Sequence, residues 1–91
     1  MENEELLDGF IQCLLRISGE GSMREFLQGL LTEKELSELP ARLAILQMLA
    51  AGYTQRQVAQ ELGVGIATVS RGASVLRAGK LDAYIRGTEN P

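Results

Sequence analysis

The residues of this 91-residue chain whose types and spacing could do chemistry are concentrated between Thr54 and Arg77. Ala59 is small where two short helices would approach most closely, and Gly63 follows four residues later, where a tight turn wants a residue tolerant of positive φ. Val58, Leu62, Val64, Val69 and Leu76 are apolar where those helices would face each other and the body of the protein. Several positions agree at once, and together they specify a helix-turn-helix. In such a unit the second helix enters the major groove of DNA N-terminus first. It would present Ile66, Ala67, Thr68 and Ser70, with Ser74 and Arg77 further along the same helix. Gln55 and Arg56 would open the preceding helix near the DNA backbone or base edges. Arg56 is the candidate for bidentate guanine readout, worth about 1–3 kcal/mol of discrimination, with a plain phosphate contact as the alternative.

The charge distribution supports that reading although the formal net charge is −3. Residues 1–39 carry nine acids and three bases, whereas residues 40–80 set Glu61 against Arg42, Arg56, Arg71, Arg77 and Lys80. The basic segment coincides with the helix-turn-helix, where phosphate neutralisation requires it.

Other functions are disfavoured. The chain has no His and one Cys, so Cys13 has neither a catalytic base nor an intrachain disulfide partner, and its neighbours Ile11, Leu14 and Leu15 mark it as a core thiol. No Gly-rich phosphate loop is present, the acids fall on solvated helix faces, and neither catalysis nor a metal or cofactor is expected. Apolar runs are too short to cross a membrane, and Glu2, Glu4 and Glu5 replace the basic start of a secretory signal, so the expected location is the cytoplasm.

The elements that must position these residues are helical. Leu6, Leu7, Phe10, Ile11, Leu14 and Leu15 predict a helix over 4–17 with a broad apolar face. Ser22 followed by Glu25 predicts the N-cap of a helix of about two turns. Thr32 followed by Glu35 predicts a capping box opening a long third helix, with Leu36, Leu39, Leu43, Leu46 and Leu49 on its apolar side and Ile45 and Met48 alongside. Pro40 predicts a kink or break in it. Thr54 caps a fourth helix, a fifth runs from Ile66 to about Arg77 and is closed by Gly79, and a last short helix from Leu81 to about Arg86 precedes a frayed polar tail.

The expected architecture is all-α, with residues 1–53 as a dimerisation core, 54–78 as the DNA-reading head and 79–91 as a short C-terminal helix and tail. The first and third helices carry more apolar surface than 91 residues can easily bury, which points to an intertwined homodimer over a compact monomer.

Leu31-Thr32, the run from Pro40 to Leu43, Thr54-Gln55-Arg56 and above all the run from Gly65 to Gly72 resemble the Trp repressor family, over about residues 26–80. The first 25 residues match in pattern only, and the N-terminal arm of enterobacterial members is largely absent. The resemblance implies a six-helix fold, a homodimer, palindromic double-stranded operator DNA and a corepressor, L-tryptophan, held between two arginines. By that resemblance Arg71 would meet the corepressor carboxylate and Arg42 would stack on the indole face. Gly29, Leu31 and Thr32 would close the pocket floor and offer backbone carbonyls to the ammonium group, and Thr68 with Gly72 would leave room for the ring. Val75 stands where tryptophan-binding members place a serine near the ammonium. An indole acid lacking the amino group, or another aromatic carboxylate, would therefore lose less at this site.

Three other readings stay open at the level of sequence. They are a relative that binds DNA without a corepressor, the detached DNA-binding piece of a recombinase or transposase, and a dimerisation or antirepressor module.

Overall fold

The computed structural model describes residues 2–85, which form six helices and no strand. The chain divides into two compact units, one ending at Leu36 and the other beginning at Ser37. Among the described residues no helix is long and apolar enough to cross a membrane.

In the first unit, α1 (Asn3–Arg16) places Glu4 and Glu5 in its first turn and Arg16 in its last, complementing the helix dipole at both ends. None of its residues is fully buried, and Leu6, Leu7, Phe10, Ile11 and Leu15 are exposed. Cys13 is a free, half-buried thiol, not the core residue that its apolar neighbours suggested. The broad apolar face that its sequence neighbours signal is left uncovered in the single chain, so they cannot enclose it.

The second helix, α2 (Glu20–Leu30), starts earlier and runs longer than the Ser22 cap predicts. Gly19 turns the chain at φ 91°, a conformation that costs glycine little, and its carbonyl accepts the Met23 N–H at 3.1 Å. Ser22 therefore lies inside the helix. An exposed Arg24–Glu20 ion pair of 2.9 Å bridges the first turn and adds little stability.

Thr32 opens α3 (Glu33–Ala50) with the expected capping box: the Glu35 N–H donates to Thr32 Oγ1 at 3.1 Å, and the Thr32 N–H donates to Glu35 Oε1 at 2.9 Å. The Thr32 hydroxyl also donates to Glu35 Oε1, at 3.1 Å, and the two bonds that this carboxyl accepts hold it below its ordinary value of 4.5, the Thr32 N–H being the larger cause and the hydroxyl the smaller. The helix passes through Pro40 without a break. Proline forfeits one intrahelical hydrogen bond there, and the turns on either side keep theirs.

In the second unit, α3 packs through Ile45, which is 2% exposed, and Leu46 is also buried. Leu39 and Leu43 remain exposed. After Gly52, at φ 103°, Thr54 caps α4 (Gln55–Leu62) through a second capping box. The Gln57 N–H donates to Thr54 Oγ1 at 3.1 Å and the Thr54 N–H to Gln57 Oε1 at 2.8 Å. Gly63 ends α4 in the left-handed region at φ 67°, and α5 (Ile66–Ala78) follows after two residues.

Val58 of α4 and Val69 of α5, both fully buried, close on Ile45 of α3, with Met48, Leu49, Ala59, Leu62 and Val64 packed around them. Each such side chain contributes about 1.5–3 kcal/mol of burial. This three-helix core is what holds the helix-turn-helix rigid. Leu76, expected among these residues, is only half-buried. Gly79 closes α5 at φ 76°, and α6 (Asp82–Ile85) seats a buried Ile85. The expected continuation to Arg86 and the polar tail lie outside the described residues.

Candidate functional site

Helix α5 carries three stripes, each at helical spacing. Val69 and Ala73 are buried and Leu76 half-buried, forming the core stripe. Ala67, Ser70, Ser74 and Arg77 are exposed and form an outer stripe. Thr68, Arg71, Gly72 and Val75 form the third, which faces α3 across a cavity.

That cavity has a volume of about 440 Å³ and lies wholly within the second unit. Its walls are Arg42, Ile45 and Leu46 of α3, Thr68, Arg71, Gly72 and Val75 of α5, and Leu81 just before α6. A second cavity of about 310 Å³ shares Arg42, Ile45, Thr68 and Arg71 with the first and adds Glu38, Ala41, Val64 and Gly65. The two arginines thus stand where the cavities meet. Neither guanidinium has a hydrogen-bond or ion-pair partner among the described residues. Free guanidiniums beside an apolar wall suit a ligand that is flat, aromatic and anionic, since they can stack on a ring and grip a carboxylate.

Close packing of α3 on α5 sets the cavity floor. A Cβ placed on Gly72 would come within 2.7 Å of Ile45 Cγ2, closer than such atoms approach, so glycine is required for the two helices to meet there. A glycine inside a helix costs about 1 kcal/mol of propensity relative to alanine, and the approach it permits is the structural return. Five of the eight residues expected around the ligand, Arg42, Thr68, Arg71, Gly72 and Val75, line the larger cavity together. Gly29, Leu31 and Thr32 belong to the first unit, at the junction of α2 and α3.

The sequence reading missed Leu46 and Leu81 as wall residues, and it missed Glu38, Ala41, Val64 and Gly65 altogether as part of the site. Glu38 had a signal: it precedes Arg42 by four residues and so shares its helix face.

The residues expected at DNA form a second surface. Gln55 and Arg56 occupy the first turn of α4, with Arg56 exposed. Ile66 and Ala67 are exposed at the start of α5. Ser70 Oγ donates to Gln55 Oε1 at 2.7 Å, and Arg77 Nη2 donates to Ser74 Oγ at 3.1 Å. Thr68, expected to serve both DNA and ligand, is exposed and lines both cavities.

Together the capped α4, the glycine turn and the three-striped α5 define an all-α helix-turn-helix protein. Residues 5–85 match the family described as Trp repressor protein, a span that reaches into the N-terminal 25 residues where the motifs themselves are silent. The chain is 30% identical over 87 residues to a Trp operon repressor homolog of Xylella fastidiosa (strain M23), covering 94% of this chain and 95% of that protein. Over 67 residues it is 43% identical to a Trp operon repressor homolog of Vibrio campbellii, covering 71% of this chain and 67% of the relative. A Trp operon repressor homolog of Chlamydia caviae is 34% identical over 77 residues, covering 84% and 76%. No solved structure matches. The chain belongs to the Trp repressor family and, with it, to the transcriptional repressors.

Proposed function

We propose that this chain is a homodimeric, sequence-specific DNA-binding repressor gated by a small aromatic carboxylate, with L-tryptophan the first ligand to test. The observation that carries the reading is the division of α5: Arg71 and Thr68 line a cavity on one side while Ser70, Ser74 and Arg77 are exposed on another. One rigid helix thereby belongs both to a ligand site and to a reading surface. A ligand that binds better to the DNA-competent placement of that helix shifts its population, which is the thermodynamic content of gating.

Residues 54–78 act as the reading head in this proposal and residues 1–53 as the dimerisation core. The exposed Leu6, Leu7, Phe10, Ile11 and Leu15 of α1 support dimerisation, being more contiguous apolar surface than a monomer keeps uncovered. Two reading heads related by a two-fold axis call for a palindromic operator with half-sites about one helical turn apart. The role is regulatory, not enzymatic.

Selection of bound sequences from random duplex DNA, with and without L-tryptophan, tests binding, symmetry and gating together. Palindromic sequences enriched only with the ligand are the expected result. Enrichment unaffected by ligand overturns gating, and no enrichment overturns the DNA-binding reading.

A second reading concerns the ligand alone. Val75, with Leu46 and Leu81, makes the far wall of the larger cavity apolar, which favours an indole acid or another aromatic carboxylate without an amino group.

A further inference from the structure

Three hydrogen bonds knit the surface proposed to face DNA, and they decide which of its groups remain to meet a base. Ser70 Oγ donates to Gln55 Oε1 at 2.7 Å. Ser74 Oγ donates to the Ser70 carbonyl at 3.4 Å, and Arg77 Nη2 donates to Ser74 Oγ at 3.1 Å. The amide oxygen of Gln55 is thereby drawn back onto α5, whereas Gln55 Nε2 has no partner among the described residues. The Arg56 guanidinium is likewise without a partner there, and no carboxylate stands among Gln55, Arg56, Ala67, Ser70, Ser74 and Arg77. Apart from the serine hydroxyls, the uncommitted side-chain groups of this surface are N–H donors.

A glutamine amide that is free to turn reads adenine, because its oxygen accepts from N6 while its nitrogen donates to N7. That pairing needs both ends of the amide on one base edge. With Oε1 held by Ser70, Gln55 presents the hydrogens of Nε2 instead. The major-groove edge that accepts at two adjacent places is that of guanine, through O6 and N7. Adenine in the same place offers one acceptor and sets its N6 amino group against a donor.

We infer that Ser70 is a positioning residue that makes Gln55 a hydrogen-bond donor, so that the pair selects guanine over adenine at one base of each half-site. The inference rests on the DNA-binding reading above and names what one part of that surface recognises. It is separate from any readout by Arg56, whose guanidinium is a donor whether or not Ser70 is present.

Fluorescence anisotropy with the intact chain and L-tryptophan tests it. The probes are the duplex recovered from random DNA and a set in which each guanine of one half-site in turn is replaced by adenine, with thymine opposite. At one position the exchange should cost the wild type about tenfold, the lower part of the range for a base contact. Ser70→Ala should bind the guanine and adenine duplexes alike at that position and keep the wild-type preference at every other. Gln55→Ala should erase the preference at the same position, and Ser70→Thr, which retains the hydroxyl, should preserve it. Ser70 is exposed, so its alanine variant folds, and circular dichroism checks that it does. If Ser70→Ala weakens all the duplexes by one factor and leaves every preference in place, the bond serves only the fold or a phosphate contact, and the inference is overturned. A wild-type preference for adenine at the position that Gln55→Ala affects overturns it as well. Both of these results leave the DNA-binding reading intact, whereas binding to no duplex overturns the two together.

Discussion

Ser70 Oγ donates a 2.7 Å hydrogen bond to Gln55 Oε1, joining the outer stripe of α5 to the first turn of α4 across fifteen residues of sequence. Both side chains lie on the surface proposed to face DNA, so the bond orients two recognition groups before DNA arrives. Such preorganisation lowers the ordering cost of binding. Ser70→Ala should change thermal stability by less than about 1 kcal/mol, the size of an exposed hydrogen bond. Operator affinity, measured by fluorescence anisotropy, should fall by about tenfold for the loss of one oriented polar contact.

Gly72→Ala should destabilise the fold although alanine is the better helix former. The clash is with Ile45 Cγ2, the branch of a stiff, buried side chain, which cannot give way without disturbing Val58 and Val69. Overpacking of this kind costs about 1–3 kcal/mol, to be read from urea denaturation. Ile45→Leu removes the clashing branch, so Gly72→Ala should cost less in that background. A double-mutant cycle with no coupling would contradict the packing account.

Thr54→Ala should cost about 1 kcal/mol by removing the acceptor for the Gln57 N–H at the start of α4. Thr54→Ser keeps the hydroxyl and should restore most of the stability in the same denaturation experiment.

The capping box at Thr32 carries a pH dependence of defined sign. The Glu35 carboxyl is held below its ordinary value of 4.5, so the stability it contributes is present above that value and is lost as the pH falls through the lowered one. An NMR titration should place the Glu35 midpoint below 4.5. Thr32→Ala removes the hydroxyl, the smaller of the two causes, and should raise the midpoint only part of the way.

Arg71→Ala should abolish binding of aromatic carboxylates in calorimetry with little loss of stability, because the side chain is exposed and has no partner in the folded chain. Arg56→Ala should instead weaken operator binding by about 1–3 kcal/mol and relax sequence preference at one position, leaving ligand affinity unchanged.

The parts of this fold that sequence reveals are those governed by local chemistry. Thr32 with Glu35, Thr54 with Gln57, and the positive φ of Gly63 and Gly79 each depend on a few neighbouring residues, and each is legible as a spacing. The start of α2 was not legible in the same way, because Ser22 and Glu25 satisfy the cap pattern while Gly19, three residues earlier, already allows the turn. Local rules permitted both starts. Leu39 and Leu43 continue the apolar spacing of α3 yet remain exposed, since periodicity marks an apolar face without saying what covers it. Arg42 and Arg71 are twenty-nine residues apart and become a pair only through family resemblance or through the packing of α3 on α5. Glu38 entered neither argument, because it acquires meaning only from a second cavity.

The contact between Gly72 and Ile45 is also a mechanical point. It pins α5 near its middle, where backbone meets a stiff side chain with no space between them. Ile66 lies six residues away, roughly 9 Å along the axis at the usual helical rise. A tilt of about 10° about the pin therefore carries the first turn by about 1.6 Å, and carries Ala78 the opposite way. Arg71 is adjacent to the pin, so a push delivered there has a short arm and its effect is read on a long one. Under the proposed gating the glycine would serve as the fulcrum of a lever, so that a small displacement at the cavity would become a larger one at the helix tip.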